Sequence, residues 1–297
     1  MILSKKNTNK LLKLLLIISL IIDNIDNNYV LHYRDKNFIK HKTKESYLKI
    51  FVMTHKDFVN YRYNSVYNIV VDNKSLLKNK YNLNVIYANE GKLYNMSRAY
   101  GEMAKIYFIY QLYKNGTISS KYIGTNHYRR YFDFTDNIPD LDEIFKKFDV
   151  ILNSPVFKTK TIREGFCEGH ICEIYDDMMN IIKDIRPEYY ESAKKVSMSL
   201  KRYYCNIFIM KKEDFFKYCE FTFDILFELD KRKNFTCDRD VLEYTKKYFN
   251  DSRKYFRQAR MQGFLAERIS NIFYYQNFKR IKTYKVGNYK ISYKINN

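Results

Sequence analysis

The stretch at residues 122–132, YIGTNHYRRYF, constrains the fold of this chain more than any other. It begins with aromatic and β-branched residues typical of a buried strand, and it ends in three basic side chains, His127, Arg129 and Arg130. In open α/β sheets, ligands bind outside the carboxyl ends of the strands, so this order predicts an anion-binding crevice. Taken alone, the stretch is equally typical of a surface patch with solvated arginines and a half-buried histidine.

Apolar runs on either side of this stretch predict a strand, helix, strand order. Short strands are indicated at 50–53 and 85–87, and helical spacing of apolar residues covers 97–114, where Asn115 and Gly116 end the helix. This order is typical of right-handed crossovers in a mostly parallel sheet. The predicted fold class is therefore α/β, with a mostly parallel sheet flanked by helices.

The second half of the chain continues the alternation. Asp140 and Glu143 form a capping-box-like start for a short helix, and residues 154–169 are predicted to form a long polar loop that faces the acceptor or acts as a lid. A carboxylate and a guanidinium, Glu267 and Arg268, are neighbours on a helix predicted to start near Gly263. The remaining predicted elements are strands at 149–153 and 204–210 and helices at 174–185 and 211–231.

Charge and cysteine content narrow the classes of partner. The formal net charge of +20 suits nucleic acid, an anionic membrane surface or a phosphorylated substrate. The lysines are spread along the chain, however, and the wealth of Lys, Asn, Ile, Tyr and Phe is what an AT-rich genome produces, so nucleic acid is not predicted as a partner. The five cysteines contain no C-x-x-C pair, which indicates neither a zinc site nor a disulfide framework and leaves a single Cys167–Cys172 bridge open.

The N-terminus has the order of a targeting signal. Lys5, Lys6 and Lys10 precede an apolar run at 11–22, which is shorter than the roughly 20 residues of an ordinary membrane span. No small-x-small cleavage site follows, which favours a signal anchor over a removed signal peptide; a helix of the folded domain is the third interpretation. We therefore expect a signal segment at 1–22, a linker at 23–46 and one folded domain at 47–297. The domain would face the secretory lumen, or the cytoplasmic face of the membrane in a bacterium.

Residues from about 49 to 277 resemble the glycosyltransferase family known as domain of unknown function 4422, which is typical of bacterial capsule and exopolysaccharide gene clusters. Its members are assigned the GT-A-type fold. Departures from the family pattern are a shorter interval before Glu102, Phe and Tyr in place of Trp, and the N-terminal apolar run. The matching motifs follow in family order: THK at 54–56, NMS at 95–97, YGE at 100–102, YFIY at 107–110, KN at 114–115, YIG at 122–124, HYRRYF at 127–132, PEYY at 187–190, NIFIMK at 206–211, YCE at 218–220, FDILFE at 223–228 and GFLAER at 263–268.

The resemblance implies a glycosyltransferase that moves a hexose, expected to be galactose or galactofuranose, from a nucleoside-diphosphate sugar to a glycan or glycoconjugate acceptor. A UDP-sugar is the expected donor. Glu267 is the first choice for the catalytic base, with Asp224 and Glu228 behind it and Glu102 as an outside candidate. A structural ion pair with Arg268 is the alternative role of Glu267. His170 is the predicted acceptor-binding residue. The predicted donor-binding residues are Thr54, His55, Lys56, Asn95, Glu102, His127, Arg129, Arg130, Asn206 and Arg268.

Enzymes of the GT-A type usually stabilise the leaving diphosphate with a divalent metal held by Asp-x-Asp at a strand end. Two such pairs occur here. The pair at 140–142 opens a predicted helix, and the pair at 238–240 follows a Lys/Asn-rich loop, so neither lies at the end of a predicted strand. We therefore hypothesise that His127, Arg129 and Arg130 take over some or all of the metal's role, with Mn²⁺ or Mg²⁺ left open as a cofactor.

A second function class stays open at this point. Aromatic residues interleave with cations, as in proteins that bind single-stranded nucleic acid or anionic glycans without catalysis. A non-catalytic, transferase-like protein belongs to the same class. Most of the aromatic residues fall on the predicted buried faces of helices and strands, which favours the enzyme.

Overall fold

The structure is a computed structural model that describes residues 46–55, 66–72, 84–132, 134 and 138–288. The predicted signal segment at 1–22, nearly all of the predicted linker and Lys56 lie outside these residues. Among the described residues, no helix has both the length and the apolar character needed to cross a membrane. The predicted domain boundaries and membrane attachment stay predictions.

A mostly parallel sheet forms the centre of the described chain. Its continuous part has the order β10-β6-β9-β4-β1-β2-β3, and β5 and β11 extend it beside β4. β1 pairs in parallel with β2 and β4, whereas β9 runs antiparallel to β4 and β6. A separate two-stranded sheet joins β7 and β8. The strands are β1 (Ser46–Met53), β2 (Tyr67–Val71), β3 (Asn84–Tyr87), β4 (Ser120–His127), β5 (Arg130–Tyr131), β6 (Val150–Asn153), β7 (Val156–Phe157), β8 (Lys201–Arg202), β9 (Phe208–Lys211), β10 (Ile281–Tyr284) and β11 (Gly287–Asn288).

Helices cover the sheet, which confirms the predicted α/β fold class. On one face Tyr122 stacks on Phe145 at 4.7 Å between ring centroids, and on the other face Phe51 meets Tyr113 edge-on at 6.0 Å. Because both faces are buried, the inner parts of β1 and β2 are mostly apolar. The helices are α1 (Ser97–Tyr100), α2 (Glu102–Lys114), α3 (Leu141–Lys147), α4 (Ile162–Gly169), α5 (Cys172–Ile185), α6 (Tyr190–Ser197), α7 (Lys212–Lys233), α8 (Asp238–Lys246), α9 (Ser252–Gln258) and α10 (Met261–Asn277), with 3-10 turns at Tyr94–Met96 and Pro187–Tyr189.

Two predicted elements are interrupted. The helix predicted at 97–114 is broken between α1 and α2 at Gly101, whose φ of 58° belongs to the left-handed region that glycine adopts without strain. The strand predicted at 204–210 begins only at Phe208, because Cys205 and Asn206 have φ of 70° and 46° and turn the chain before it. Both breaks lie beside the candidate site described below.

The prediction of a polar loop at 154–169 is wrong. This segment contains β7 and α4, and α4 begins with a capping box in which Thr161 and Glu164 bond each other's main-chain N–H. Only Ile162 and Phe166 of α4 are buried, so its polar composition hides its helical character. The bridge left open between Cys167 and Cys172 is present and links the end of α4 to the start of α5. The predicted cap at Asp140 is confirmed, since its side chain accepts the Glu143 N–H at 3.1 Å.

Candidate active site

The order of the strands opens a crevice at the carboxyl end of β1. The chain moves outward from β1 through β2 to β3 and then returns to β4 on the other side of β1. Such a reversal is where doubly wound sheets bind ligands. A cavity of about 290 Å³ lies there, lined by Thr54 and His55 after β1, Asp72 after β2 and His127 at the end of β4.

Three cations contribute to the cavity wall, and they differ from those predicted. Lys105 is only 4% exposed and its Nζ lies 2.9 Å from an Asp72 carboxylate oxygen. Arg260 precedes α10 and passes Gly101 so closely that a Cβ there would lie 3.3 Å from its Nη2. Arg98 is held by a bond from its Nη2 to the Phe256 carbonyl at 3.2 Å. The cavity is therefore cationic on the side formed by α1, α2 and the start of α10.

His127 lines the cavity as a neutral group. Its Nδ1 accepts the Arg129 N–H at 3.2 Å, which leaves the ring proton on Nε2. Burial, reinforced by the charges of Arg129, His55, Arg130 and Arg260, lowers the pKa of His127 to about 3. At neutral pH it can donate a hydrogen bond to an anion but carries no charge, so its predicted role as a cation is corrected.

Arg129 and Arg130 are exposed and do not line the cavity. The Arg129 guanidinium lies 5.1 Å from the centre of the Tyr128 ring, and Arg130 Nη1 donates to Cys205 Sγ at 2.7 Å. Both are near enough to lower the pKa of His127, so they contribute positive potential beside the cavity. Arg260 takes the place expected for them.

Two carboxylates, Glu102 and Glu267, are hydrogen-bonded to the turn that precedes β9. Asn206 Nδ2 donates to Glu102 Oε1 at 3.1 Å, and Glu267 Oε1 accepts the Cys205 N–H at 3.0 Å. Burial and then the charge of Glu267 raise the pKa of Glu102 to about 7, against the lowering effects of Asn206 and the nearby cations. Glu102 lines the cavity, whereas Glu267 does not.

The turn at Cys205 and Asn206 is held on several sides. The Asn206 carbonyl accepts from Thr125 Oγ1 at 2.5 Å, and its Oδ1 accepts from Ser270 Oγ at 2.7 Å. These bonds fix a left-handed pair of residues that would otherwise cost conformational energy. The predicted site residue Asn206 is thereby aimed at Glu102.

Glu267 and Arg268 form the ion pair considered as the alternative in the sequence. Arg268 Nη1 lies 3.0 Å from Glu267 Oε2 and also donates to the Phe264 carbonyl at 2.8 Å. The guanidinium lies 5.0 Å from the centre of the Phe166 ring and is 8% exposed. Both oxygens of Glu267 are thus engaged by protein groups, and Arg268 does not line the cavity.

The other predicted residues lie elsewhere. His170 follows α4, where its Nδ1 is 2.9 Å from Gln258 Oε1 and burial lowers its pKa to about 4. Asn95 is exposed in the first 3-10 turn and does not line the cavity. Asp224 pairs with Arg186 and Glu228 pairs with Lys231 and Arg232, and both acids line a different surface depression on α7.

The described residues do not provide a ligand set for a divalent metal. Within that part of the chain, no three His, Cys, Asp or Glu side chains are placed to hold an ion together. Both Asp-x-Asp pairs have other tasks: Asp142 accepts from Lys121 and Tyr122 at 2.6 Å each, and Asp238 accepts the Arg98 and Ala99 N–H groups at the start of α1.

Comparison with known proteins identifies one matching family and one solved structure with a similar fold. The profile of the family described as "Domain of unknown function (DUF4422)" matches residues 49–278. The apo structure of WbbM, a bifunctional glycosyltransferase, has a TM-score of 0.61 and 18% sequence identity over 82% of this chain and 45% of that chain. This chain thus spans less than half the length of WbbM, and at this identity the likeness shows a shared fold. A search of curated proteins finds no match.

Proposed function

This chain belongs to the DUF4422 family, and from that premise we propose that it is a glycosyltransferase that moves a hexose from a nucleoside-diphosphate sugar to a glycan or glycoconjugate acceptor. The observation that carries the proposal is the cationic cavity at the carboxyl end of β1. It combines the ligand position of a doubly wound sheet with charge suited to a diphosphate. The glycosyltransferase fold shared with WbbM supports it.

The diphosphate is the leaving group, and its charge grows as the sugar departs. Arg260 and Arg98 line the cavity and supply positive charge, whereas the charge of Lys105 is balanced by Asp72. Guanidinium groups bind phosphate oxygens in pairs. The neutral His127 adds a hydrogen-bond donor. Groups held in place before the reaction stabilise such charge without reorganisation. We therefore assign the diphosphate to this wall of the cavity.

Glu102 is the carboxylate that we assign to proton transfer. An inverting transfer needs a base that takes the proton of the acceptor hydroxyl, and a base works best when its pKa lies near the operating pH. Glu102 lines the cavity and has a pKa of about 7. Glu267, the base predicted first, becomes a positioning residue that holds the turn carrying Asn206.

Our proposal for the donor rests on the family resemblance, and our proposal for the cofactor rests on the charge of the cavity. We propose a UDP-sugar that carries galactose or galactofuranose, bound with the help of Thr54 and His55 at the end of β1. We propose that the cationic wall takes over some or all of the role of a divalent metal, because its guanidinium groups can bind the diphosphate directly. A requirement for Mn²⁺ or Mg²⁺ is measured in the same assay.

The test is a donor panel with product analysis by mass spectrometry, in Mn²⁺, in Mg²⁺ and in EDTA. The unmodified chain should consume a UDP-sugar, and Glu102→Gln should lower turnover by about 100-fold or more, the contribution of a general base. Glu243→Gln, an exposed carboxylate of α8 paired with Lys246, is the matched control and should keep full activity.

Two outcomes would contradict the proposal. Protection against heat by oligonucleotides but not by UDP or UDP-sugars would identify a basic binding protein. Protection by UDP without consumption of any donor would identify a transferase-like protein without activity.

A further inference from the structure

Exposed apolar side chains concentrate on one part of the described surface. Phe157 is 70% exposed, Met198 69%, Leu200 46% and Val156 38%, and they belong to β7 or to the turn before β8. They are four of the ten large hydrophobic side chains exposed among the described residues. Single exposed apolar residues are ordinary, but a contiguous group marks an interaction site.

Main-chain bonds place these residues on two neighbouring segments. Phe157 is paired with Lys201 in the register of β7 and β8, and the Lys158 N–H donates to the Leu200 carbonyl at 3.0 Å. Segments 156–158 and 198–201 therefore run side by side, and we call them the apolar ribbon. Lys201 also lines a cavity of about 360 Å³ with Tyr275, which is 54% exposed, so the apolar surface continues onto the end of α10.

The ribbon has a positive rim. Lys158, Lys195, Lys201 and Lys279 are exposed on it or next to it, and no described acid forms an ion pair with their ammonium groups. Two acids of the neighbouring helices are already paired, Glu168 with Lys160 and Glu191 with Lys194. The surface is therefore both apolar and cationic.

We propose that the apolar ribbon docks onto an anionic phospholipid bilayer. Side chains alternate along the ribbon, so Phe157 shares one face with Lys201 and Leu200 shares the other with Lys158. The ribbon therefore enters the boundary between headgroups and acyl chains edge-on, with Phe157 and Leu200 on its two faces and Met198 in the adjoining turn, and Lys158 and Lys201 contact lipid phosphates. Interfacial segments combine large apolar residues with lysines in this manner. Lysine is depleted in protein interfaces, and two copies of a cationic ribbon repel each other, so a membrane fits this surface better than a protein partner.

The chain contains no tryptophan, which allows a local fluorescent reporter. Phe157→Trp places a single tryptophan on the ribbon of the full chain, and Tyr248→Trp places one on a 43% exposed aromatic position outside it. With phosphatidylcholine vesicles that contain phosphatidylglycerol, emission of the Phe157→Trp variant should move to shorter wavelength and be quenched by lipids brominated near the headgroup. The Tyr248→Trp variant should not respond. Attachment by the N-terminal apolar run alone would act on both reporters alike, so the comparison of the two variants separates it from docking of the ribbon.

Charge variants test the cationic rim. In the Phe157→Trp background, Lys158→Ser with Lys201→Ser should weaken partition into these vesicles about 30-fold, from about fivefold for each lysine near an anionic surface. Matched Lys246→Ser with Lys254→Ser on α8 and α9 should leave it unchanged. Three results would overturn the proposal. The first is emission of the Phe157→Trp variant that does not change when vesicles are added, and the second is an equal response of the Tyr248→Trp variant. The third is a blue shift that depends on protein concentration without lipid, which would instead indicate binding of a second copy.

Discussion

Glu102→Gln should make the free energy of unfolding less dependent on pH. In the folded chain the pKa of Glu102 is raised from an ordinary value of 4.5 to about 7, chiefly by burial and by Glu267. Between these values the folded state holds a proton that the unfolded chain has released, so stability falls as pH rises. Above pH 7 the loss reaches about 3 kcal/mol at 1.36 kcal/mol per pH unit. This is an upper value, because Glu102 is only half-buried and water in the cavity screens its charge.

The assay is urea denaturation of the parent chain and the variant at pH 5 and pH 8. Glutamine keeps the shape of Glu102 and an oxygen that can accept the Asn206 bond, but it does not ionise. The parent should lose up to about 2.5 kcal/mol more than the variant between these pH values. His127, whose lowered pKa makes stability rise with pH between about 3 and 6.5, is present in both chains and cancels in the comparison. Curves that run parallel for the two chains would refute the reasoning about Glu102.

Further predictions concern catalysis, cross-linking and packing. The rate of transfer should rise with pH to a plateau above about 7 as Glu102 ionises, and a pH–rate profile without this limb would remove Glu102 as the base. Asp224→Asn and Glu228→Gln should keep turnover in a donor-consumption assay, because both acids lie in a separate depression; a 100-fold loss would restore their predicted catalytic role. Cys167→Ser should lower stability in urea by about 2 kcal/mol, the value for a very short cross-linked loop, and equal stability of the two chains would contradict this. Gly124→Ala should cost about 1–3 kcal/mol in the same assay, since its Cβ would lie 3.0 Å from Ile50 Cγ1 and 3.2 Å from Ile209 Cγ1; an unchanged midpoint would show that both side chains yield.

The features that could be predicted from the sequence are those that depend on residues close together in the chain. The strand that ends at His127 combines an apolar run with a polar end inside one short stretch, and the cap at Asp140 depends on a residue three positions away. The place of His127 in the cavity could therefore be predicted from the sequence. Its neutral state could not, because burial and three arginines from two parts of the chain set its pKa.

The remaining features of the site depend on distant contacts. Arg260 reaches the cavity because the helix breaks at Gly101 and because α10 packs against α1, where a Cβ on Gly263 would lie 3.0 Å from the Tyr100 carbonyl. The turn that aims Asn206 at Glu102 is held by Glu267, more than 60 residues away. The motifs mark several of these residues, but neither periodicity nor motif spacing shows that residues so far apart in the sequence contact each other. The short strands of the apolar ribbon have no periodic signal.

The central claim is that the cavity at the carboxyl end of β1 binds the diphosphate of the donor. Isothermal titration of UDP measures this most directly, with the parent chain, Arg260→Ala and the control Arg280→Ala, whose guanidinium pairs with Asp149 outside the cavity. The Arg260→Ala variant loses a charge-assisted bond of about 1.5–3 kcal/mol, so its affinity for UDP should fall about 10-fold or more. The affinity of the Arg280→Ala variant for UDP should equal that of the parent chain. Equal affinity of all three chains for UDP, or no binding to the parent, would contradict the account.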